Sequence, residues 1–304
     1  MGGKVKCSVV VPTYNRVELL RHTLDSLTRQ DLREDEFEVL VVDDGSSDST
    51  AELVPQYEDR INIRYFFQED LGWRVAKARN VGITHANGDV CVFVDSGVLL
   101  HSGALRAHVE AHAGENPVAV CGYVYCFNID NEDAELINAE VDFDNPSATI
   151  DKLRRERRWL DVREEFYRRH TDDFGDLPAP WLAYWTCNAS ARTAQLRAVG
   201  MFDEAFRSWG SEDVDLAYRL HRDGARIVLA RDAAAIHAPH HKSFEENMRD
   251  AMVNQRYMAA KYDTPLIRML AEDPPVMFFD FNEVAIARGL PTCAEYRAGQ
   301  ELAG

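Results

Sequence analysis

Residues 37–47 read Phe37-Glu-Val-Leu-Val-Val-Asp43-Asp-Gly-Ser-Ser47. The run is almost wholly apolar as far as Val42, which is typical of a strand buried on both faces of a parallel sheet. Gly45 and the serines after it account for a turn. They do not account for the two adjacent acids, because buried carboxylates without partners are strongly unfavourable. The stretch therefore predicts a buried strand whose carboxyl end carries a polar site.

Short β-branched runs and helical patterns alternate on both sides of this strand, from residue 6 to about residue 95. The predicted strands are 7–12, 37–43, 61–67 and 89–95, and the predicted helices are 17–27, 49–57 and 74–85. This alternation predicts an α/β fold with a mostly parallel central sheet, flanked by helices and joined by right-handed crossovers. Ligands collect at the carboxyl ends of such strands, which here carry Pro12-Thr-Tyr-Asn15, Asp43-Asp-Gly-Ser-Ser47 and Asp95-Ser-Gly97.

The second half of the chain is less regular. Its patterns predict a helix over 211–222, strands near Ile227 and over 233–237, and a long helix over 244–262. A tail with several prolines follows this helix. We therefore expect a C-terminal helical extension over residues 243–304.

Composition and charge limit the classes of partner. The 304 residues include 51 Asp or Glu and 34 Lys or Arg, a formal net charge of −17, which argues against nucleic acid. No apolar run approaches the about 20 residues of a membrane span. The N-terminus lacks an apolar signal core, so we expect a cytoplasmic protein. The six cysteines lack zinc-ligand spacing and are expected to be reduced core residues.

Several familiar motifs are missing from the sequence. It contains no G-x-G-x-x-G after the first strand, no G-x-x-x-x-G-K-[ST], no H-E-x-x-H and no G-x-S-x-G. Their absence argues against a dinucleotide dehydrogenase, a P-loop NTPase, a zinc protease and a nucleophile-elbow hydrolase. The carboxylates at strand ends remain as the candidate chemistry.

Several stretches resemble family 2 glycosyltransferases, which have the Rossmann-like GT-A fold. The nucleotide-sugar domain is matched by Val9-Val-Val-Pro-Thr-Tyr-Asn15, Val41-Val-Asp-Asp-Gly-Ser-Ser-Asp-Ser-Thr50, Ala76-Lys-Ala-Arg-Asn-Val-Gly82 and Gly88-Asp-Val-Cys-Val-Phe-Val-Asp95. The acceptor half is matched by Cys187-Asn-Ala-Ser-Ala-Arg192, Val199-Gly-Met-Phe-Asp-Glu204 and Trp209-Gly-Ser-Glu-Asp-Val-Asp-Leu-Ala-Tyr-Arg-Leu220. The last stretch is also similar to a segment of galactosyl- and chondroitin-type transferases. The resemblance implies a GT-A domain over 1–242, with a nucleotide-sugar half at 1–100 and an acceptor half at 101–242.

The resemblance also implies roles for single residues. Pro12, Tyr14 and Asp44 would hold the nucleotide base, usually uracil, with Asp44 accepting a hydrogen bond from its imide N–H. Arg74 or Arg79 would lie near the base or the phosphates. Asp95 corresponds to the first acid of the family's D-x-D element, which binds the ribose and the metal region. A UDP-sugar is therefore the expected donor.

Dependence on a metal is left open, because Gly97 stands where the D-x-D element ordinarily carries its metal ligand. The leaving diphosphate gains negative charge during glycosyl transfer, so a cation near it lowers the barrier. His237 matches a metal-binding histidine of related transferases, and Mn²⁺ or Mg²⁺ could be held by Asp95, His237 and the diphosphate. Instead of a metal, His240, His241, Lys242 or Arg231 could supply the positive charge directly. The structural interpretation is that residues 237–241 form a polar loop with no role in the reaction.

Glu212 and Asp213 begin a predicted helix. The resemblance implies that Asp213 is the general base that takes the acceptor's proton, and that Glu212 orients the acceptor. A neighbouring acid would raise the pKa of Asp213 toward a useful range. The structural interpretation is helix capping, with Ser211 as the cap and the acids favouring the helix dipole. Asp215 points to another face of the helix and is expected to be structural.

Two further features have both a structural and a functional interpretation. Trp181, Trp185 and Trp209 are either core residues or stacking surfaces for an acceptor sugar. The stretch from Lys152 to Arg169 contains eight basic and four acidic residues. It is either a solvated helix with charge pairs or a surface for an anionic ligand.

Together these features favour an inverting glycosyltransferase that moves a sugar from a UDP-sugar to a hydroxyl or other nucleophile of a soluble acceptor. The acceptor class stays open between a small molecule, a glycan and a peptide. Inversion is expected because the sequence offers a base but no placed nucleophile. A second hypothesis is a nucleotide-sugar-binding protein that has lost catalysis. A third is a nucleotidyltransferase, although residues 12–16 are not its usual glycine-rich basic loop.

Overall fold

An eight-stranded sheet forms the centre of the computed structural model, which describes residues 4–303 apart from the side chains at 297 and 300–303. Residues 1–3 and 304, the outermost parts of the predicted units 1–242 and 243–304, lie outside the described residues. The strands are β1 (Cys7–Thr13), β2 (Phe37–Asp43), β3 (Ile63–Phe67), β4 (Val90–Val94), β5 (Val98–Leu100), β6 (Val118–Tyr125), β7 (Asn188–Arg192) and β8 (Arg226–His237).

Thirteen α-helical segments surround this sheet in the described part of the chain. They are α1 (Val17–Leu27), α2 (Thr50–Leu53), α3 (Val75–His85), α4 (Ala104–Ala111), α5 (Ala134–Glu140), α6 (Pro146–Glu156), α7 (Glu164–His170), α8 (Thr193–Ala198), α9 (Glu212–Arg222), α10 (Phe244–Tyr262), α11 (Pro265–Arg268), α12 (Phe281–Ala287) and α13 (Cys293–Ala303). Short 3₁₀ segments lie at Val54–Tyr57, Pro180–Ala183, Met269–Ala271 and Phe278–Asp280.

The sheet order is β3-β2-β1-β4-β7-β6-β8-β5. The first four strands are parallel, as the alternating pattern predicts. Strand β7 is antiparallel to both β4 and β6, β8 is parallel to β6, and β5 is antiparallel to β8. The parallel half therefore presents the carboxyl ends of β1, β2 and β4 at one edge, and the mixed half extends the sheet beside them.

Most predicted elements of the first half have the expected bounds, and the differences have local causes. The predicted helix 49–57 is an α-turn followed by a 3₁₀ segment, because Pro55 has no N–H to donate within a helix. The strands predicted near 227 and 233–237 are one strand, β8. Its register against β6 shifts between Gly122 and Tyr123, where the irregularity separates the two apolar runs.

Apolar side chains cover both faces of the sheet. Strand β1 shows the alternation: Val10 packs in the layer that also contains Phe93 and Trp181, whereas Val9 and Val11 pack in the layer against α1. All six cysteines are buried and free of disulfide bonds, as predicted. No helix among residues 4–303 is both long and apolar enough to cross a membrane.

The basic stretch 152–169 is divided between α6 and α7 rather than forming one helix. Lys152, Arg154, Arg158, Arg163, Arg168 and Arg169 all pair with acidic side chains. Arg163 is fully buried: its guanidinium pairs with Asp161 at 2.7 Å and donates to the carbonyl oxygens of Ala183 and Gly122. The pairing favours the structural interpretation of this stretch, and Arg163 is part of the core.

Helix α10 is joined to α9 by a buried carboxylate. Asp215 of α9 accepts hydrogen bonds from Lys261 Nζ at 2.7 Å and from Tyr262 Oη at 2.6 Å, and it pairs with Arg219 at 2.6 Å. Asp215 is completely buried. Its structural role is therefore as predicted, and it holds the C-terminal helix against the helix that carries Asp213.

Candidate active site

The two acids that follow β2 have different environments. Asp43 accepts hydrogen bonds from the backbone N–H groups of Gly45 and Ser46, at 3.1 and 2.7 Å, and from Tyr65 Oη at 2.6 Å. These bonds close the turn after the strand. Asp43 is thus explained by local structure, and its carboxylate is satisfied without a ligand.

Asp44 instead lies among polar groups that lack partners. Its Oδ2 accepts from the backbone N–H of Arg74 at 2.9 Å, and its Oδ1 accepts from Gln68 Nε2 and lies 3.4 Å from Arg74 Nη2. Nearby buried atoms without a hydrogen bond include Arg74 Nε, Arg74 Nη2, Gln68 Oε1 and Thr13 Oγ1. Buried polar atoms are normally satisfied, so this group is suited to a polar ligand.

Two loops at the ends of β1 and β2 are joined by Asn15, whose φ is +49°. Its N–H donates to Ser46 Oγ at 2.8 Å, and its Oδ1 accepts from the N–H of Ser47 at 2.8 Å. The neighbouring Tyr14 is half exposed and donates its hydroxyl to Asp70 Oδ2 at 3.0 Å, a contact that raises the pKa of Tyr14. Pro12 lies buried at the end of β1, where its carbonyl oxygen accepts from Ser96.

Arg79 connects the two halves of the chain. Its Nη2 lies 2.9 Å from Asp95 Oδ1 at the end of β4, and its Nη1 lies 2.8 Å from Glu212 Oε1 at the start of α9. Burial disfavours the charge of Arg79, but the two carboxylates outweigh burial and raise its pKa. Arg79 therefore stays charged and holds Asp95 close to Glu212, the sequence neighbour of Asp213, whereas Arg74 lies at Asp44.

The carboxyl group of Asp213 has a raised pKa. Burial raises its pKa to about 7, and the neighbouring Glu212 carboxylate adds to this effect while Arg79 opposes it. Glu212 also keeps one buried oxygen, Oε2, without a hydrogen bond. A carboxylate with a pKa near neutrality is suited to proton abstraction. Ser211 does not cap α9: its φ is +72° and its side chain makes no capping bond, so the capping interpretation is wrong for Ser211.

The backbone explains why residue 97 is a glycine. Gly97 has a φ of +97°, a conformation that L side chains rarely adopt, and an added Cβ would lie 3.3 Å from Leu19 Cδ2. Its N–H donates to Thr23 Oγ1 at 2.8 Å. An acidic side chain at this position would therefore be strained.

His237 ends β8 and lies in a cluster of rings. Its ring stacks on His240 at 5.2 Å and meets Phe127 edge-on at 4.8 Å, and its buried Nδ1 has no hydrogen bond. Burial lowers the pKa of His237, and electrostatic interactions with Lys242, His240 and Arg16 lower it further. The imidazole is therefore neutral, the form that binds metals.

Asp95 offers a carboxylate oxygen, the ligand type that Mn²⁺ and Mg²⁺ prefer, and His237 offers an imidazole nitrogen without a hydrogen bond; substrate oxygens and water would have to complete the coordination. Among residues 4–303, no group of three or more His, Cys, Asp or Glu could hold a metal by protein ligands alone. A metal at this position would therefore depend on the diphosphate.

The side chains that could supply a positive charge directly differ in their availability. Lys242 Nζ donates to the carbonyl oxygen of Asn128 at 2.7 Å and lies 4.4 Å from the centre of the Phe127 ring, and burial lowers its pKa to about 8. His241 is exposed. Arg231 is paired with Asp172 and Glu164, so its charge is already neutralised. Sequence reasoning missed Arg16, which follows Asn15 and interacts electrostatically with Asp95.

The three tryptophans proposed for the acceptor have different environments. Trp181 is completely buried, with its ring edge-on to Tyr218 at 5.5 Å, so its assignment to acceptor binding is wrong. Trp185 is half-buried and donates Nε1–H to the carbonyl oxygen of Leu182. Trp209 is 39% exposed, on the turn before α9. Trp209 is thus the most accessible of the three as a stacking surface.

A mixed eight-stranded sheet with a parallel half, flanked by helices and carrying acidic residues at its strand ends, has the architecture of the GT-A fold class of glycosyltransferases. The chain belongs to glycosyl transferase family 2, whose family model matches residues 8–171, more than half of the chain. Residues 170–242 match the model described as the N-terminal domain of galactosyltransferase.

Curated relatives carry glycosyltransferase names. The chain is 40% identical over 248 residues to validoxylamine A glucosyltransferase of Streptomyces hygroscopicus subsp. jinggangensis. The alignment covers 81% of this chain and 58% of the relative. The chain is 29% identical over 239 residues to chondroitin synthase of Escherichia coli, covering 76% of this chain and 34% of the relative. The chain thus matches little more than half of the first relative's length and about a third of the second's.

Solved structures share the fold. S. aureus TarS 1-349 in complex with UDP-GlcNAc superposes with a TM-score of 0.64 at 21% identity, covering 85% of this chain and 66% of that chain. Mannosyltransferase PcManGT from Pyrobaculum calidifontis, in complex with GDP-Man and Mn²⁺, has a TM-score of 0.56 at 19% identity and covers 99% of this chain and 76% of that chain. The predicted GT-A fold is therefore confirmed.

Proposed function

We propose that this chain transfers a sugar from a UDP-sugar to a hydroxyl of an acceptor, with inversion at the anomeric carbon and Asp213 as the general base. The observation that carries the proposal is the Arg79 bridge, which joins Asp95 at the end of β4 to Glu212 beside Asp213. The bridge supports the proposal because Glu212 is the sequence neighbour of Asp213, whose pKa is raised, and Asp95 follows β4 at the sheet edge where ligands of α/β folds collect.

The donor is proposed to bind at the polar cluster around Asp44. The uracil imide N–H would donate to Asp44, and the unpartnered atoms of Arg74 would bind the base carbonyl oxygens. The half-exposed ring of Tyr14 offers a stacking face for the base. The complex of TarS with UDP-GlcNAc, a protein of the same fold, is consistent with a uridine donor.

In the proposed reaction, Asp213 takes the proton of the acceptor hydroxyl as its oxygen attacks the anomeric carbon of the donor sugar. The bond between that carbon and the β-phosphate oxygen breaks, and its electron pair leaves with UDP. The new glycosidic bond forms on the opposite face of the sugar, which gives inversion. Asp95 and His237 would hold a Mn²⁺ or Mg²⁺, which when bound neutralises charge on the diphosphate.

Glu212 and Trp209 are proposed to bind the acceptor. Glu212 keeps a buried oxygen without a hydrogen bond, which can accept from an acceptor hydroxyl. Trp209 presents an exposed ring to the apolar face of a sugar or a related ring. A polyhydroxylated small molecule suits this pair, and validoxylamine A, named in a relative, is a rational first acceptor to assay.

The test is a transfer assay with UDP-glucose, UDP-GlcNAc and UDP-glucuronic acid, each with validoxylamine A and with water as acceptor. We expect release of UDP from at least one donor, and proton NMR of the product should show the anomeric configuration opposite to that of the donor. A retained configuration would refute single displacement. Turnover of GDP-mannose with no turnover of any UDP-sugar would refute the assignment of the base pocket.

A further inference from the structure

The turn that precedes α9, residues 208–211, has an unusual backbone. Gly210 has a φ of +89° and Ser211 a φ of +72°. A serine in this left-handed region is unfavourable, and such residues persist where surrounding contacts determine the conformation. Ser211 makes no capping bond to α9, so its own side chain does not stabilise it there. The stabilising contacts must come from elsewhere.

Those contacts come from α10, through Asn254. Its Nδ2 lies 2.7 Å from the carbonyl oxygen of Gly210 and 3.2 Å from those of Ser208 and Trp209. Its Oδ1 accepts from Ser208 Oγ at 3.5 Å. The side chain is buried. A single amide therefore holds three consecutive carbonyl groups immediately before the helix that carries Glu212 and Asp213.

Asn254 is one member of a polar stripe along α10. The stripe consists of Asp250, Asn254, Tyr257 and Lys261, whose spacing places them on one face of the helix. Asp250 accepts from the N–H of Trp209 at 3.3 Å, and Tyr257 and Lys261 both donate to Asp203 Oδ2 at 2.7 Å. Within the stripe, Asp250 and Asn254 bond to the turn itself. Tyr257 and Lys261 bond to Asp203 upstream of the turn, and Lys261 also bonds to Asp215 in α9.

We propose that Asn254 is a positioning residue for glycosyl transfer: by holding the carbonyl groups of residues 208–210, it fixes the orientation of Glu212 and Asp213 in the first turn of α9. The inference rests on the proposed function, because it takes Asp213 as the base. Asn254 itself does not touch substrate. A catalytic base must lie within hydrogen-bond reach of the proton it takes, and displacement by about 1 Å can cost on the order of a hundredfold in rate.

The stripe offers a matched control for a purely structural role. Tyr257→Phe removes one hydrogen bond between α10 and Asp203 without touching the turn. Asn254→Leu keeps the branched shape of the side chain but removes all of its hydrogen bonds to the turn. Asn254→Asp keeps the size and replaces the donating amide with a carboxylate that faces three carbonyl oxygens. If the stripe only attaches α10 to the rest of the protein, all three variants should lower the stability and leave the kcat of the folded protein unchanged.

The experiment measures the kcat of UDP release at saturating donor with water as acceptor, the Kd of UDP by calorimetry, and thermal unfolding. We expect Asn254→Leu and Asn254→Asp to lower kcat by about tenfold or more while the Kd of UDP changes less than about twofold. Tyr257→Phe should leave both quantities close to their wild-type values. The split is expected because UDP is proposed to bind at Asp44, whereas the Asn254 amide donates its hydrogen bonds to the carbonyl oxygens of residues 208–210.

Several results would overturn the positioning role. The first is a kcat close to that of wild type in both folded Asn254 variants, and the second is an equal loss of kcat in Tyr257→Phe. The third is a Kd for UDP that increases by the same factor as kcat falls. The fourth is failure of both Asn254 variants to fold. An active wild type with insensitive Asn254 variants refutes this inference alone. A wild type that turns over no UDP-sugar refutes the proposed function as well.

Discussion

In the nucleotide-sugar half, the groups around Asp44 come from the same short region of the chain, since Gln68 and Arg74 follow it by 24 and 30 residues. In the acceptor half, Glu212 is fixed by Arg79, 133 residues earlier, and the turn before it is held by Asn254, 44 residues after Gly210. The proposed donor pocket is thus built by neighbouring loops of one parallel sheet. The proposed base depends on contacts between distant parts of the chain.

This difference separates two functions of the site. A pocket made by local loops is expected to bind UDP even when the acceptor half is perturbed. A base held by long-range contacts is expected to lose its rate contribution without loss of UDP binding. Substitutions in the two halves should therefore affect different measured quantities.

The largest expected effect is that of Asp213→Asn. Removal of a general base typically costs on the order of 10²–10⁴ in rate, so we expect kcat to fall by about 10³-fold. The Kd of UDP should stay close to that of wild type. Steady-state UDP release and calorimetry measure the two quantities.

Asp223→Asn is the matched control for this change, because Asp223 follows the last turn of the same helix, α9, at its opposite end. The control should retain the kcat of wild type. Unchanged UDP release in Asp213→Asn would show that another group takes the proton.

Arg79→Met should affect both halves, since Arg79 is the bridge between them. It leaves the carboxylates of Asp95 and Glu212 without their common cation, and breaking a buried ion pair typically costs about 3–5 kcal/mol in the free energy of unfolding. We expect a loss near the lower figure, because Asp95 is partly exposed. Urea unfolding measures it.

Two companion variants sharpen the Arg79 measurement. Arg106→Met removes a surface arginine paired with Asp31 and should cost much less. Arg79→Met combined with Glu212→Gln should recover part of the lost stability, because the second change removes one unpaired charge. Equal destabilisation by Arg79→Met and Arg106→Met would contradict the bridge.

Asp44→Asn is the corresponding change in the nucleotide-sugar half. It removes the charge that faces Arg74 and one proposed acceptor for the uracil imide, and a hydrogen bond to a charged group is worth about 1.5–3 kcal/mol. We expect UDP to bind about tenfold more weakly or worse, while kcat at saturating donor stays close to that of wild type.

Asp59→Asn, at an exposed position of the same half, is the control and should bind UDP normally. A large fall in the kcat of Asp44→Asn at saturating donor would contradict the expectation that substitutions in the two halves affect different measured quantities.

The contrast between local and long-range contacts also explains how far sequence reasoning succeeds. The bounds of α1 and β2 follow from apolar periodicity, and the acids at strand ends follow from the parallel order of the strands. The Arg79 bridge has no local pattern, because an arginine in a helix shows neither its burial nor a partner 133 residues away. The same holds for Trp181, whose neighbours Pro178 and Pro180 are typical of a loop although its ring is in the core.

Asn254 illustrates a periodic signal whose meaning depends on the tertiary structure. The 4-3-4 spacing of the polar stripe 250–261 marks one face of a helix, yet polar residues at that spacing normally face solvent. The positions of the carbonyl groups of residues 208–210 are what give the stripe a partner. Sequence periodicity therefore predicts helix faces, but it does not predict what each polar face contacts.

The smallest effect in this series is the pH dependence of the wild-type rate. Asp213 acts as a base only when ionised, and its pKa is raised to about 7 by burial and by Glu212. The value of kcat/KM should therefore fall as the pH decreases through about 7, approaching a tenfold loss per pH unit below it. Glu212→Gln removes the neighbouring negative charge, so it should move this inflection to lower pH. An inflection at the same pH in Glu212→Gln would show that a group other than Asp213 titrates. It would also contradict an electrostatic interaction between Asp213 and the carboxylate of Glu212 that pairs with Arg79.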